Sequence, residues 1–320
     1  MSFSGEIKDE LSRHWKKARH CQIAELAALL SLCGNICVSS RDTYCIKIRT
    51  ENIAVARKGF TLIKKTFNIE TDIAIRRNLI KDSVIYAVVV KKHEDALRVL
   101  QATKLVNENH TIDQDVLIVN HLVVQQSCCK RAFIRGAFLA AGSMSNPTKA
   151  YHFEIVCPTH GMASELQSMM NSFEMDAKIV QRKKSFVVYL KEGSQIADIL
   201  NIMEAHVALM ELENVRILKE MRNTVNRKVN CETANISKTV SAAVKQMEDI
   251  SYIRDTIGFE KLSEGLEDIA ITRLAYPEAT LKELGELLPV PLGKSGVNHR
   301  LRKLSEIAEK VRQNKEDYND

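Results

Sequence analysis

No stretch of this sequence approaches the roughly 20 apolar residues that a helix needs to cross a bilayer, so a membrane span is not expected. The opening segment, MSFSGEIKDELSRHWKK, has no apolar core between a basic flank and a cleavage site. It does not read as a secretory leader, and a cytoplasmic or nuclear location is expected. Paired metal-ligand spacings are also missing. The eight cysteines, Cys21, Cys33, Cys37, Cys45, Cys128, Cys129, Cys157 and Cys231, include no CxxC pair, and no HxxxH set completes a zinc site. Nor does their spacing suit an iron–sulfur cluster. The expectation is reduced thiols with no metal and no cofactor. A strong charge of either sign is absent too. The net charge of +6 and pI near 8.8 permit nucleic-acid binding without requiring it. With 45% hydrophobic and 27% charged residues the chain lies far from the composition of disorder, and its 320 residues suffice for two cores.

An internal repeat organises the first two-thirds, with units at about 20–105 and 127–205. The first opens with the apolar helix QIAELAALLSLCGN. A hairpin follows, NICV then TYCIKIR, reversing at the polar residues Ser39 to Asp42. A helix (IAVARKGFTLIKKTF), two strands (TDIAIRR and SVIYAVVV) and a closing helix (EDALRVLQATKL) complete it. The second runs in step, from CCKRAFIRGAFLAAGS through SNPT, AYHFEIV, HGMASELQSMMNSF, DAKIVQR and SFVVYLK to QIADILNIM. The periodicity of each unit reads αββαββα, and a duplicated α+β unit pairs about a pseudo-two-fold axis. The opening helices are rich in small residues, Ala24, Ala27, Ala28 and Gly34 in one and Gly136, Ala137, Ala140, Ala141 and Gly142 in the other. Small side chains let helix axes approach closely, so these two helices are expected to pack on each other.

Leu26 to Gly34 (LAALLSLCG) resembles the LAGLIDADG motif of homing endonucleases, and Ile134 to Gly142 (IRGAFLAAG) resembles a second, weaker copy. In that family the carboxylate before each terminal glycine holds the magnesium ions for phosphodiester cleavage, a task that needs hard oxygen ligands on both sides of the axis. Here those positions are Cys33 and Ala141, and their neighbours Asn35 and Ser143 carry no charge. No nuclease activity is expected. The nuclease sheets grip DNA, and the strands here carry Lys47, Arg49, Arg76 and Arg77 in one unit and Lys178, Arg182, Lys183 and Lys184 in the other. These could neutralise phosphates, although Glu154 interrupts them.

After Met210 strand alternation gives way to helical spacing, which predicts one domain over 1–212 and an all-helical one over 213–320. The basic helix NVRILKEMRNTVNRKVNCETANISKT repeats Arg222, Asn226 and Asn230 every four residues, with Lys219 and Arg227 beside them. Arg and Asn suit phosphate and base-edge contacts. The next helices, TVSAAVKQMEDISYI and LSEGLEDIAITRLAY, are increasingly acidic and read as support. Thr280 with Glu283 forms a capping box opening a short helix. The turn PVPLGKSG follows, and Ser295 can cap a last helix with the apolar stripe Val297, Leu301, Leu304, Ala308 and Val311. A short helix, a glycine-containing turn and a helix that begins basic and amide-bearing make a helix-turn-helix at about 280–305. Asn298 can read adenine, Arg302 guanine, and Lys294 and the helix N-terminus can hold phosphate, with His299 beside them.

Taken together, the degenerate motif pair, NRKVNCETAN and LKELGELLPVPLGKSGVNHRLRKL resemble the WhiA family of sporulation and cell-division transcription regulators, over nearly the whole chain. The resemblance implies a scaffold that has lost cleavage and a C-terminal domain similar to region four of sigma factors. It also implies double-stranded DNA as partner and control of division, chromosome-segregation or sporulation genes. An iron–sulfur WhiB-type regulator, RNA polymerase or a sigma factor would be the protein partner. The other reading is an interaction scaffold of the division machinery or nucleoid in which DNA binding is secondary.

Overall fold

The computed structural model describes residues 2–38, 43–78, 83–106 and 120–316. The expected reversal at Ser39 to Asp42 lies outside the described residues. The chain divides into two compact units, Met1–Glu220 and Met221–Asp320.

The first unit is the duplicated α+β domain. Helix α1 (Phe3–Arg13) precedes the repeat. Copy one comprises α2 (Arg19–Cys33), β1 (Gly34–Val38), β2 (Tyr44–Thr50), α3 (Ile53–Phe67), β3 (Asp72–Asn78), β4 (Ser83–Val90) and α4 (His93–Ala102). Copy two comprises α5 (Ser127–Ala141), β5 (Gly142–Met144), β6 (Phe153–Cys157), α6 (His160–Asn171), β7 (Lys178–Arg182), β8 (Ser185–Leu190) and α7 (Gly193–Met203). Each copy forms one antiparallel four-stranded sheet, in the orders β1-β2-β4-β3 and β5-β6-β8-β7. The two motif helices each end two residues earlier than the sequence pattern suggests, because Gly34 and Gly142 already have extended backbones and begin strands.

Helices α2 and α5 pack tightly on each other, as their small residues predict. The crossing lies at Gly136, where a Cβ would sit 2.4 Å from the Glu25 carbonyl oxygen and 2.9 Å from the Ala28 Cβ. Only a residue without a side chain fits. A buried ion network straddles this contact. Arg135 Nε lies 3.2 Å from Glu25 Oε1, Lys58 Nζ lies 3.1 Å from the same oxygen, and Arg135 Nη1 lies 3.0 Å from Glu204 Oε2. Glu25 and Lys58 are 1% exposed and Arg135 is fully buried, so each charge depends on its partners. Burial presses the Lys58 amine below its ordinary value while Glu25 pulls it back up.

Helix α1 was not anticipated. Its residues Phe3, Ile7 and Leu11, spaced four apart, bury one face, each worth about 1.5–3 kcal/mol. Ser4 Oγ ties the helix to β5, donating to the Met144 carbonyl and accepting from its N–H, both at 2.7 Å.

One helix spans the boundary expected between residues 212 and 213. Helix α8 runs unbroken from His206 to Thr256, a span with no glycine or proline to interrupt it. No described helix is long and apolar enough to cross a membrane.

The second unit is helical. A 3₁₀ turn (Phe259–Lys261), α9 (Glu264–Ala275), α10 (Leu281–Leu287) and α11 (Lys294–Glu316) pack with the end of α8. Their core includes Ile250, Ile253, Leu266, Ile269, Leu284, Val297, Leu301 and Leu304. The capping box at α10 is complete: Thr280 Oγ1 accepts from Glu283 N, and Glu283 Oε2 accepts from Thr280 N at 2.7 Å. Arg312 lies 2.8 Å from the buried Asp249, fastening α11 to α8.

Candidate nucleic-acid interface

The turn between α10 and α11 is held by backbone. Gly285 accepts a hydrogen bond from Leu292 N at 3.0 Å, and a Cβ on Gly285 would sit 2.1 Å from the Leu292 carbonyl oxygen. Glycine is therefore required where the chain folds back. Helix α11 then starts at Lys294, with the Gly293 carbonyl accepting from Gly296 and Val297. Ser295 thus lies inside the first turn rather than at the cap, because Gly293 already supplies the first acceptor.

Val297, Leu301 and Leu304 turn into the core, which leaves Lys294, Ser295, Asn298, His299 and Arg302 exposed along the first two turns. This spacing keeps the five on one broad face. Arg300 sits on the flank, where its guanidinium donates to the Gly265 carbonyl at 2.9 Å. That contact anchors α11 to α9, and the sequence pattern gave Arg300 no role because it marks only the apolar stripe and the polar face. The support helix α9 carries Glu264, Glu267 and Asp268.

Arg222, Asn226 and Arg227 form a separate place. All lie in the 221–242 stretch of α8, where every side chain is exposed. Arg222 is about 40 Å along the helix from Ile250 at about 1.5 Å per residue, so the fold does not gather these residues with those of α11.

The outer face of the first sheet brings together Lys47, Arg49 and Arg76 around a shallow cleft of about 220 Å³ floored by Ala74, Ile85, Ala87 and Val89. Arg77 alternates to the other face. The second sheet differs. Glu154 occupies its centre, accepting from Ser143 at 3.0 Å and pairing with His152 at 3.1 Å and Arg182 at 3.4 Å. Burial would raise its pKa, but these hydrogen bonds and the Arg182 charge hold it below the usual carboxylate value. Lys178 and Arg182 are exposed strand residues, whereas Lys183 and Lys184 form the β7–β8 turn, Lys183 with a left-handed φ of 56°.

At the two motif ends, Cys33 Sγ donates to the Leu29 carbonyl at 3.1 Å, and Ala141 offers no ligand atom. Burial pushes the Cys33 thiol up to about 12, against a small opposing pull from the Lys8 ammonium. Lys8 comes from α1 and sets a cation beside the end of the first motif helix. At the other end of these helices His20, Cys21, Cys128 and Cys129 meet, their ligand atoms within 4.8 Å of one another, in a group that could hold a metal ion. Linear spacing concealed it, because the four residues come from both copies of the repeat.

Two LAGLIDADG-like halves without a carboxylate pair, followed by a helix-turn-helix unit, define a degenerate LAGLIDADG-type protein with a C-terminal helix-turn-helix domain. Comparison with known proteins agrees. The WhiA N-terminal LAGLIDADG-like domain matches residues 19–106, the WhiA LAGLIDADG-like domain 130–222 and the WhiA C-terminal HTH domain 225–308. A probable cell division protein WhiA of Lachnoclostridium phytofermentans is 59% identical over 314 residues, covering 98% of this chain and 100% of that one. Another, of Alkaliphilus oremlandii, is 50% identical, covering 98% of this chain and 99% of that one. The crystal structure of full-length DUF199/WhiA from Thermatoga maritima shares the fold, with a TM-score of 0.59 at 23% identity over 97% of this chain and 99% of that one. The chain belongs to the WhiA family.

Proposed function

We propose that the chain binds double-stranded DNA through the N-terminal face of α11 and regulates transcription of cell-division, chromosome-segregation or sporulation genes, without cutting DNA. The observation that carries this reading is the exposed set Lys294, Ser295, Asn298, His299 and Arg302 on a helix fixed from behind by Val297, Leu301 and Arg300. Asn298 offers a bidentate contact to adenine and Arg302 to guanine. Lys294 and the free N–H groups of the first turn hold phosphate. Arg222, Asn226 and Arg227 on α8 add phosphate contacts, and the Lys47, Arg49 and Arg76 face is a further basic surface. The relatives' name as probable cell division proteins supports the choice of target genes, and the protein works at the nucleoid. RNA polymerase, a sigma factor or an iron–sulfur regulator of the WhiB type is its protein partner at promoters.

A second reading, an interaction scaffold of the division machinery, draws on the apolar residues Met221, Val225, Val229, Ile236 and Val240, exposed on α8. Genome-wide occupancy of the wild-type chain and of Arg302→Ala separates the two. Regulation through α11 predicts discrete occupied promoters that Arg302→Ala empties, with matching changes in transcript levels. An unchanged occupancy map, or a division phenotype that persists with occupancy lost, supports the scaffold instead.

A further inference from the structure

We propose that His20, Cys21, Cys128 and Cys129 bind one zinc(II) ion that cross-links the N-terminal ends of α2 and α5. His20 Nδ1 lies 3.1 Å from Cys129 Sγ, 3.5 Å from Cys21 Sγ and 4.0 Å from Cys128 Sγ. All four ligand atoms fall within 4.8 Å of one another. A tetrahedral ion with Zn–S near 2.3 Å and Zn–N near 2.0 Å places its ligand atoms about 3.5–3.8 Å apart. His20 Nδ1 therefore stands at about such separations from the three sulfurs, and the sulfurs lie within 4.8 Å of one another. Three thiolates and one imidazole are a structural zinc set, and soft sulfur with imidazole disfavours magnesium, calcium and manganese. An iron–sulfur cluster, with several irons between its ligands, needs its sulfurs spread more widely.

The placement follows from the repeat. Cys21 stands thirteen residues before Gly34, and Cys129 stands thirteen before Gly142, so His20-Cys21 and Cys128-Cys129 are the same two positions in the two copies. The pseudo-two-fold axis brings them face to face. Neither helix has a side-chain hydrogen bond at its N-cap, and the positive end of each helix dipole favours thiolate ligands. Cys21 and Cys129 are buried while Cys128 is exposed, and a cavity of about 290 Å³ lined by His20, Gln126 and Cys129 adjoins the group, providing an entry path. Binding releases the thiol protons to solvent as the thiolates take up the ion, with no change of oxidation state. The ion would tie the start of the first copy to the start of the second, and metal clips that close long stretches of chain gain the most stabilisation.

The test uses the full-length protein purified with reductant. Elemental analysis is expected to find one zinc per chain. The metal-free protein titrated with cobalt(II) is expected to develop the visible bands and the thiolate-to-cobalt charge-transfer band of tetrahedral sulfur coordination. Cys128→Ser, at an exposed position that leaves the fold intact by circular dichroism, should weaken cobalt affinity by at least about tenfold, the least that even second-shell changes cost. Cys231→Ser, exposed on α8, should leave it unchanged. The proposal is overturned if reduced wild-type protein neither holds zinc nor gives the cobalt spectrum, or if Cys128→Ser binds as tightly as wild type.

Discussion

Gly285→Ala is expected to loosen the helix-turn-helix by an amount that the geometry sets. The added methyl would lie 2.1 Å from the Leu292 carbonyl oxygen and 3.2 Å from Val297 Cγ2. The carbonyl cannot simply withdraw, because Leu292 N is bonded to Gly285 O at 3.0 Å. Overpacking of this kind costs about 1–3 kcal/mol, and loss of the turn hydrogen bond adds about 1 kcal/mol. Alanine's better helix propensity offsets about 1 kcal/mol. The net loss of about 1–3 kcal/mol corresponds to a rise of about 5- to 150-fold in the opening equilibrium of α10 and α11. Hydrogen–deuterium exchange of the α10 and α11 amides in the full-length protein reads that equilibrium directly. Gly293→Ala is the control, since a Cβ there meets nothing within 4 Å. Exchange in Gly285→Ala no faster than in Gly293→Ala would refute the close-approach argument.

Other outcomes follow from the buried charges and the altered motif ends. Arg135→Met takes from the buried Glu25 one of its two cations and leaves Lys58 as the other, and breaking a buried pair costs about 3–5 kcal/mol. The melting transition of the first unit should then fall by roughly 6–20 °C, and a drop of only a degree or two would show that the network is dispensable. His14, whose Nε2 lies 2.7 Å from Glu204, is held below its ordinary value of 6.5, first by burial and then by Arg135. Its contribution to stability is therefore present above about pH 6.5, where the folded and unfolded states are both neutral, and is lost as pH falls below it. Urea midpoints at pH 7.5 and 5.5 should differ more for wild type than for His14→Gln, and an equal difference would remove His14 as the cause. Supercoiled plasmid incubated with Mg²⁺ or Mn²⁺ should stay intact, and cleavage that Cys33→Ala abolishes would contradict the reading of the motif ends.

The repeat, its αββαββα order and the close helix pair could all be read from sequence because they rest on local signals: apolar periodicity, and small residues such as Gly136 and Ala28 recurring at helical spacing. The capping box at Thr280 and Glu283 was legible for the same reason. Three features were not. Helix α1 is too short and polar to stand out, and its buried face gains meaning only where Ser4 meets Met144. The continuity of α8 was hidden because its 221–242 stretch buries no face, so periodicity gives no guide there and only the absence of glycine and proline remains. The His20, Cys21, Cys128 and Cys129 group could not be seen by searching for ligand pairs within one segment. Comparing equivalent positions of the two copies would have found it.

The central claim, that α11 reads base sequence, is tested most directly by titrating wild type and Arg302→Ala against the preferred duplex and against single-base-pair variants of it at one salt concentration. The account predicts that Arg302→Ala loses about 1–3 kcal/mol on the preferred site and no longer discriminates at one guanine position, while binding to unrelated duplex changes little. Equal affinity and equal sequence preference for the two proteins would contradict it.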